Sequence, residues 1–66
     1  MNIGQMIQDG RKEAGLTQKE LADMLNVSRG LIARIECGDA EPSLRMLERI
    51  GIALDSSYTI GKGGKA

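Results

Sequence analysis

The stretch Thr17-Gln18-Lys19-Glu20-Leu21-Ala22-Asp23-Met24-Leu25-Asn26-Val27-Ser28-Arg29 decides the fold, because it holds two helix starts close together. Thr17 with Glu20 three residues later forms a capping-box pattern, and Ser28 is a second candidate N-cap. Asn26 tolerates the left-handed backbone that a tight turn requires. Two short helices, 18–25 and 29–36, are therefore predicted to follow one another across a turn of three or four residues.

This spacing is typical of a helix-turn-helix unit, in which the first helix holds the second at a fixed angle. Ala22 fits that arrangement, because a bulkier side chain would push the two helices apart. The second helix of such a unit enters the major groove of DNA. The spacing therefore predicts that helix 29–36 is a DNA-reading element.

Two further helices are predicted on either side of this unit. Asn2 with Gln5 indicates the start of a first helix and Gly15 its end, whereas a fourth helix is expected from about Ser43 to Leu54. We therefore expect an all-α fold of four to five short helices, in one domain over residues 1–56. The apolar residues at helical spacing that should face inward include Ile3, Met6, Ile7 and Ala14 in the first helix and Leu44, Leu47, Ile50, Ala53 and Leu54 in the fourth.

The C-terminal residues 57–66 have a different character. The run Ser57-Tyr58-Thr59-Ile60 is rich in β-forming residues and predicts a short strand, followed by a flexible glycine- and lysine-containing tail over 61–66. A lone strand has no partner in its own chain, and unpaired strand edges seek partners. These four residues are therefore candidate dimerisation residues that would pair with a second copy.

Composition narrows the class of protein. The 66 residues include one cysteine, Cys37, and no histidine, so neither an internal disulfide nor a metal site is expected. We find no nucleophile–base pair, paired carboxylates or phosphate-binding loop, so neither an enzyme nor a cofactor is predicted. No apolar run is long enough for a membrane span and the N-terminus lacks the features of a signal peptide, so the expected location is cytoplasmic. The net charge of zero counts against nucleic-acid binding.

A wider pattern carries a family resemblance. The chain resembles the phage-repressor/Cro (XRE-type) family over about Ile3 to Leu54. The residues that carry the resemblance are 15–22, Val27-Ser28-Arg29, Ile32, Ile35-Glu36, Gly38 and Pro42-Ser43. The resemblance implies a five-helix, lambda-repressor-like domain that binds double-stranded, palindromic operator DNA as a homodimer. The function implied is that of a sequence-specific transcriptional repressor.

The family pattern also assigns roles to residues. Thr17, Gln18 and Ser28 lie at helix starts, where N–H groups favour a phosphate. Arg29, Gly30 and Arg34 match base-reading positions, and an arginine there can hold guanine O6 and N7 with two bonds. Leu31 is left open between a thymine methyl, a protein partner and a tolerated exposed leucine. Arg11 and Glu36 match a structural salt bridge that orients the end of the recognition helix.

Some residues depart from the family pattern. The loop Asp39-Ala40-Glu41 is acidic where the family is usually basic, Gly30 offers no side chain to a base, and Gly10 replaces a large apolar residue. These departures predict weak DNA binding, or binding that needs a dimer or a basic partner. The C-terminal run also resembles the HipB-like antitoxin branch of the family. The alternative function is therefore an antitoxin that binds a toxin protein and represses its own operon.

Overall fold

The computed structural model describes residues 2–58. Four α-helices occupy this part of the chain: α1 (Ile3–Glu13), α2 (Gln18–Leu25), α3 (Arg29–Cys37) and α4 (Leu44–Tyr58). The all-α class is confirmed, and neither a fifth helix nor a strand occurs among residues 2–58.

Each of the four helices begins at a side-chain cap. Asn2, Thr17, Ser28 and Ser43 accept a hydrogen bond from the backbone N–H three residues later, at 3.0–3.1 Å. At α2 the Glu20 carboxylate also accepts from the Thr17 N–H at 2.8 Å, which completes the predicted capping box. The helix starts were therefore predictable from short-range pattern alone.

The turn between α2 and α3 has the geometry that the sequence indicates. Asn26 ends α2 in the left-handed region, with φ of 60°. The N–H of Val27 then donates to the carbonyl of Ala22 at 3.0 Å, which folds the chain back towards Ser28 and the start of α3. The turn of the helix-turn-helix unit is thus defined by local backbone hydrogen bonds.

The core lies between the helix-turn-helix unit and the two flanking helices. α3 packs against α1 and α2, while α4 packs against α2 and, less extensively, α1. The buried hydrophobic side chains are all aliphatic, as the composition predicts: Ile7, Leu21, Ala22, Leu25, Ile32, Ile35, Ile50 and Ala53.

α1 approaches the end of α3 closely at Gly4. A Cβ added to Gly4 would lie 2.5 Å from the carbonyl oxygen of Ile35 and 2.7 Å from that of Glu36. Only a residue without a side chain fits this distance, since the atoms that it would meet belong to backbone. Gly4 therefore sets how closely α1 approaches the recognition helix.

The predicted C-terminal strand is wrong where the structure describes it. Ser57 and Tyr58 belong to the last turn of α4, which continues four residues beyond Leu54; Thr59 and Ile60 lie outside the described residues. No glycine or proline interrupts the chain between residues 52 and 60, and β propensity yields readily to context. The Ser57 hydroxyl also donates to the sulfur of Met24 at 3.4 Å, which ties this turn to α2.

The inward face predicted for α1 and α4 is only partly correct. Ile7, Ile50 and Ala53 are buried, but Ile3 and Met6 are 43% and 50% exposed and Leu44 is 78% exposed. Ile3 and Met6 instead line a shallow apolar groove between α1 and α4, together with Leu47 and Leu54. Such a groove forms because α4 covers only part of α1.

Gly10, a departure from the family pattern, has a packing reason. A Cβ at this position would come within 3.0 Å of the Cδ1 atom of Leu54 on α4. A larger residue would force that leucine aside, so the glycine lets the second half of α4 approach α1. This contact offsets the helix propensity that a glycine costs in α1.

Candidate nucleic-acid interface

α3 presents two chemically different faces. Ile32 and Ile35 point into the core, with 0% and 2% exposure. The opposite face carries Arg29, Gly30 and Arg34, all of which are exposed. The structure thus places the three predicted base-reading positions together on the solvent side of the recognition helix.

The starts of α2 and α3 both present backbone donors. The first N–H groups of a helix have no acceptor within it. The side chains of Thr17 and Ser28 accept the N–H groups of Glu20 and Leu31, whereas the two preceding N–H groups in each helix have no intrahelical acceptor. Such donors, with the positive end of the helix dipole, are suited to a phosphate oxygen.

A buried ion pair anchors α3 to α1. The Arg11 Nε donates to Glu36 Oε2 at 2.7 Å and its Nη2 donates to Glu36 Oε1 at 3.1 Å, in the planar two-bond geometry of a guanidinium and a carboxylate. The two side chains are only 9% and 2% exposed. Arg11 Nη1 also donates to the carbonyl of Leu16 at 2.8 Å, so the pair joins α1, the following turn and α3.

Both charges of this pair are held in their ionised forms. Burial raises the pKa of the Glu36 carboxyl, but the hydrogen bonds from Arg11 and Gln18 and the charges of Arg11 and Lys12 outweigh it, so the net pKa lies below its usual value. The hydrogen bond to Glu36 likewise raises the pKa of Arg11. The structure therefore brings together the two residues that the family pattern assigns to a salt bridge.

Gln18 connects this pair to the exposed face. Its Nε2 donates to Glu36 Oε1 at 3.1 Å, and its Oε1 accepts from Arg29 Nη1 at 3.4 Å. Sequence reasoning assigned Gln18 to a phosphate and did not predict these contacts. Helical spacing could not reveal them, because residues 18, 29 and 36 meet only once the fold is formed.

Leu31 is less exposed than the sequence suggested. It is half-buried and packs against the core cluster, whereas the prediction placed it on an open face. The reason is its position on the helix: Leu31 is next to Ile32 and one turn before Ile35, so it packs against the cluster to which both belong. A thymine-methyl contact by Leu31 stays a prediction, with only part of its side chain in reach of solvent.

The acidic loop closes the far end of α3. The N–H groups of Asp39 and Ala40 both donate to the carbonyl of Arg34, at 2.8 and 3.2 Å, after Gly38 turns the chain with φ of 89°. Asp39 and Glu41 are exposed. Their negative charge therefore lies at the C-terminal end of the recognition helix, whereas Arg29 and the backbone donors lie at its start.

Sequence reasoning also missed Arg49. Its guanidinium donates to the carbonyl of Leu25, the last residue of α2. A cation there interacts favourably with the negative end of the helix dipole. Arg49 thus ties α4 to the turn of the helix-turn-helix unit.

Other site chemistry is limited in the described residues. Within residues 2–58, no three histidine, cysteine or acidic side chains cluster as metal ligands would. No helix in that range has the length and apolar character needed to cross a membrane. Cys37 is exposed at the end of α3.

The helix-turn-helix family model HTH_3 matches residues 7–60 of the chain. The chain therefore belongs to the helix-turn-helix family of the Cro and phage-repressor type, a family of DNA-binding regulators and not of enzymes. The family predicted from residues 15–43 is confirmed. The HipB-like branch stays a prediction.

Similar proteins support the same class. An uncharacterized HTH-type transcriptional regulator of Methanothermobacter thermautotrophicus is 47% identical over 53 residues, which cover 80% of this chain and 77% of that protein. The immunity repressor protein of Bacillus phage phi105 is 46% identical over 54 residues, or 82% of this chain and 38% of the repressor. The endothelial differentiation-related factor 1 homolog of Danio rerio is 41% identical over 54 residues, which cover 82% of this chain and 37% of that protein.

The chain spans less than half the length of the vertebrate relatives that it matches. The similarity therefore concerns the helix-turn-helix domain itself. No solved structure matches the chain.

Proposed function

We propose that this domain binds double-stranded DNA sequence-specifically as a homodimer, places α3 in the major groove and represses transcription. The observation that carries the proposal is that α3 has one buried face, held by packing and an ion pair, and one face exposed to solvent. Ile32, Ile35 and Glu36 fix the helix, while Arg29 and Arg34 remain exposed on the other side. A helix held rigidly with two exposed arginines is suited to reading base edges.

Each contact has a defined role in this proposal. Arg29 and Arg34 would read guanine through O6 and N7, and the N-terminal N–H groups of α2 and α3, with Thr17, Gln18 and Ser28, would bind phosphate. Gly30 has no side chain, so the DNA backbone or a base edge can approach α3 closely there. A Cβ at Gly30 would meet no heavy atom closer than 4.0 Å, which shows that this surface is open.

The first test is enrichment of random duplex DNA by the purified protein at low salt, followed by sequencing. The expected result is a palindrome whose half-sites lie about one helical turn apart, since two copies of α3 would enter successive major grooves. Recovery of no preferred sequence would contradict the proposal. A single unrepeated half-site would support DNA binding but contradict the homodimer.

A matched pair of variants then tests the role of Arg29. Arg29→Lys keeps the positive charge but cannot form the two-bond fork to guanine, whereas Arg29→Ala loses both. Loss of discrimination at one base position in both variants, by about 1–3 kcal/mol, would mark a base contact. Retained discrimination in both, with weaker binding to all sequences only in Arg29→Ala, would mark a phosphate contact instead.

The homodimer would use the outer side of α4. The predicted pairing strand does not serve, because Ser57 and Tyr58 belong to α4. Leu44 and Ile52 are 78% and 68% exposed on this helix, and a second copy that covered them would remove this apolar surface from water. Sedimentation of the free protein should show a dimer, and Ile52→Glu should shift it to monomer while circular dichroism stays helical. A dimer that survives Ile52→Glu would place the interface elsewhere.

The second candidate function is that of an antitoxin, in which a toxin protein covers an apolar surface. The observation that favours it is the α1–α4 groove lined by Ile3, Met6, Leu47 and Leu54. Acidic Glu41 lines an adjoining pocket that shares Ile3 and Leu47 with this groove. A toxin with a basic, partly apolar surface would suit these residues. Co-purification from the native host tests it: a stoichiometric toxin-like partner supports this function, and its absence contradicts it.

A further inference from the structure

The α1–α4 groove is continuous with a pocket that carries two carboxylates. Gly51 and Leu54 line both the groove and this pocket, whose other lining residues are Gly10, Glu13 and Asp55. Gly10 and Gly51 contribute no side chain, so residues 2–58 leave the space beside Glu13 and Asp55 open. These five residues together form what we call the acidic pocket.

The charged residues that line the groove and its adjoining pockets within residues 2–58 are all negative. Glu13 and Asp55 lie at one end, and Glu41 lies in the pocket that shares Ile3 and Leu47 with the other end. Neither of the two ion pairs found in residues 2–58 includes any of these three carboxylates. A segment that fills the groove would therefore be attracted through positive charge at its ends.

Between these charged ends, the lining of the groove is apolar. Ile3 and Met6 on α1 are 43% and 50% exposed, and Leu47 and Leu54 on α4 are partly buried. An apolar surface that covered them would leave water together with them, which is the dominant favourable term in most protein association. The groove is thus suited to an occupant that is apolar in its middle and basic at its ends.

The two walls of the groove favour a helical occupant. α1 and α4 bond most of their backbone groups internally, so an extended segment laid between them would find few backbone partners. An α-helix satisfies its own backbone groups and can place one apolar face in a groove of this kind. The eleven residues of α1 span about 16 Å, which corresponds to about three turns of such a helix.

We propose that the α1–α4 groove binds an amphipathic helix of a second protein, with apolar residues against Ile3 and Met6 and a lysine or arginine in the acidic pocket. The inference rests on the second candidate function for a protein partner and deepens it by naming the chemistry of the segment that binds. It does not depend on DNA binding, since none of the proposed DNA contacts lines the groove or the acidic pocket. The apolar face would supply most of the affinity, whereas the carboxylates would select basic over acidic segments.

The first test selects binders from a displayed library of random peptides about four helical turns long, with the full chain as bait. The expected peptides carry apolar residues at helical spacing and lysine or arginine at an end. Their synthetic forms should bind Met6→Lys about tenfold more weakly or worse, because a charge then lies in the apolar part of the groove. Met24→Lys is the matched control and should leave binding unchanged, since Met24 is 45% exposed on α2 and does not line the groove.

The second test changes the charge of the acidic pocket and keeps its shape. Glu13→Gln with Asp55→Asn should weaken binding of the selected peptides several-fold and reduce its dependence on salt. Asp23→Asn with Asp39→Asn is the matched control, because it removes the same charge from exposed residues outside the groove. An equal loss in the two double variants would show an effect of net charge alone and overturn the basic residue in the acidic pocket.

Other occupants of the groove give distinct results. If a second copy fills it, Met6→Lys should change the sedimentation of the free protein and Met24→Lys should not. If residues 59–66 fill it, deletion of those residues should shift the NMR signal of the Met6 methyl group. Either result would overturn the inference, as would recovery of no peptide or of peptides that bind Met6→Lys as tightly as the unaltered protein.

The antitoxin function fails or stands separately. Peptides whose binding depends on Met6, together with a host in which no toxin co-purifies, would support the inference and contradict that function. A co-purified toxin that binds Met6→Lys as tightly as the unaltered protein would support that function and overturn the inference.

Discussion

The two faces of α3 differ in how completely the rest of the domain determines them. On the inner face, Ile32 and Ile35 are buried, Glu36 is paired, and the backbone lies against Gly4 of α1. On the outer face, Arg29 and Gly30 meet mainly solvent. Substitutions on the inner face should therefore cost stability, whereas substitutions on the outer face should change what the domain binds and leave its fold intact.

The largest effect is expected from Glu36→Ala, which leaves the Arg11 guanidinium buried without its counter-charge. Breaking a buried pair in this way costs about 3–5 kcal/mol, which approaches the whole stability of a domain of this size. Urea denaturation followed by circular dichroism measures the loss. Replacing both partners, as in Arg11→Met with Glu36→Leu, should recover most of it, since no charge then stays buried. A loss below about 1 kcal/mol in Glu36→Ala would show that the pair is not structural.

The next largest effect is expected at the contact between α1 and α3. Gly4→Ala would place a methyl group 2.5 Å from the Ile35 carbonyl oxygen, and because that atom is backbone, the helices must separate. Overpacking of this kind costs about 1–3 kcal/mol, against a gain of less than about 1 kcal/mol from helix propensity, because Gly4 lies in the first turn of α1. Thermal denaturation should show a lower midpoint, and an unchanged or higher midpoint would contradict the close contact.

The pH dependence of stability should report the same pair with a smaller effect, since a protonated Glu36 keeps its shape. Its pKa in the folded chain lies below the usual 4.5, so the unfolded chain binds the proton more readily. The stability that the pair supplies is therefore complete above about pH 4.5 and is lost as pH falls through the lower, folded pKa. The free energy of unfolding, measured by urea denaturation at several pH values between 7 and 3, should fall more steeply with decreasing pH for the unaltered protein than for Glu36→Gln. Parallel curves would contradict the assignment.

The parts of the fold that depend on short-range chemistry were predictable from the sequence. Caps at Asn2, Thr17 and Ser28 and the left-handed turn at Asn26 each need only residues within one helical turn, and all are present. The extent of α4 was not predictable in this way. Its last turn at Ser57 reads locally as a strand but continues a helix that is already anchored in the core, with a contact to α2.

The candidate site divides along the same line. The family pattern was enough to pair Arg11 with Glu36 and to place Arg29 on the recognition helix. The half-burial of Leu31 and the two contacts of Gln18 depend on how α2 and α3 cross. The residue spacing within either helix does not determine that crossing. The sequence therefore predicts the elements of the interface better than the connections between them.

The smallest effects on stability should come from two glycines that face open space, and they separate fold from function most clearly. A Cβ at Gly51 in the middle of α4 would meet nothing within 4 Å, so Gly51→Ala should stabilise the protein by about 1 kcal/mol and leave its base preference unchanged. Gly30→Ala should also stabilise it, by less, because Gly30 lies in the first turn of α3. It should nevertheless alter base preference, since the new methyl group lies beside Arg29 on the outer face. Thermal denaturation and duplex enrichment on both variants measure the two properties. If Gly30→Ala keeps the preferred sequence as Gly51→Ala does, the outer face of α3 is not the surface that reads DNA.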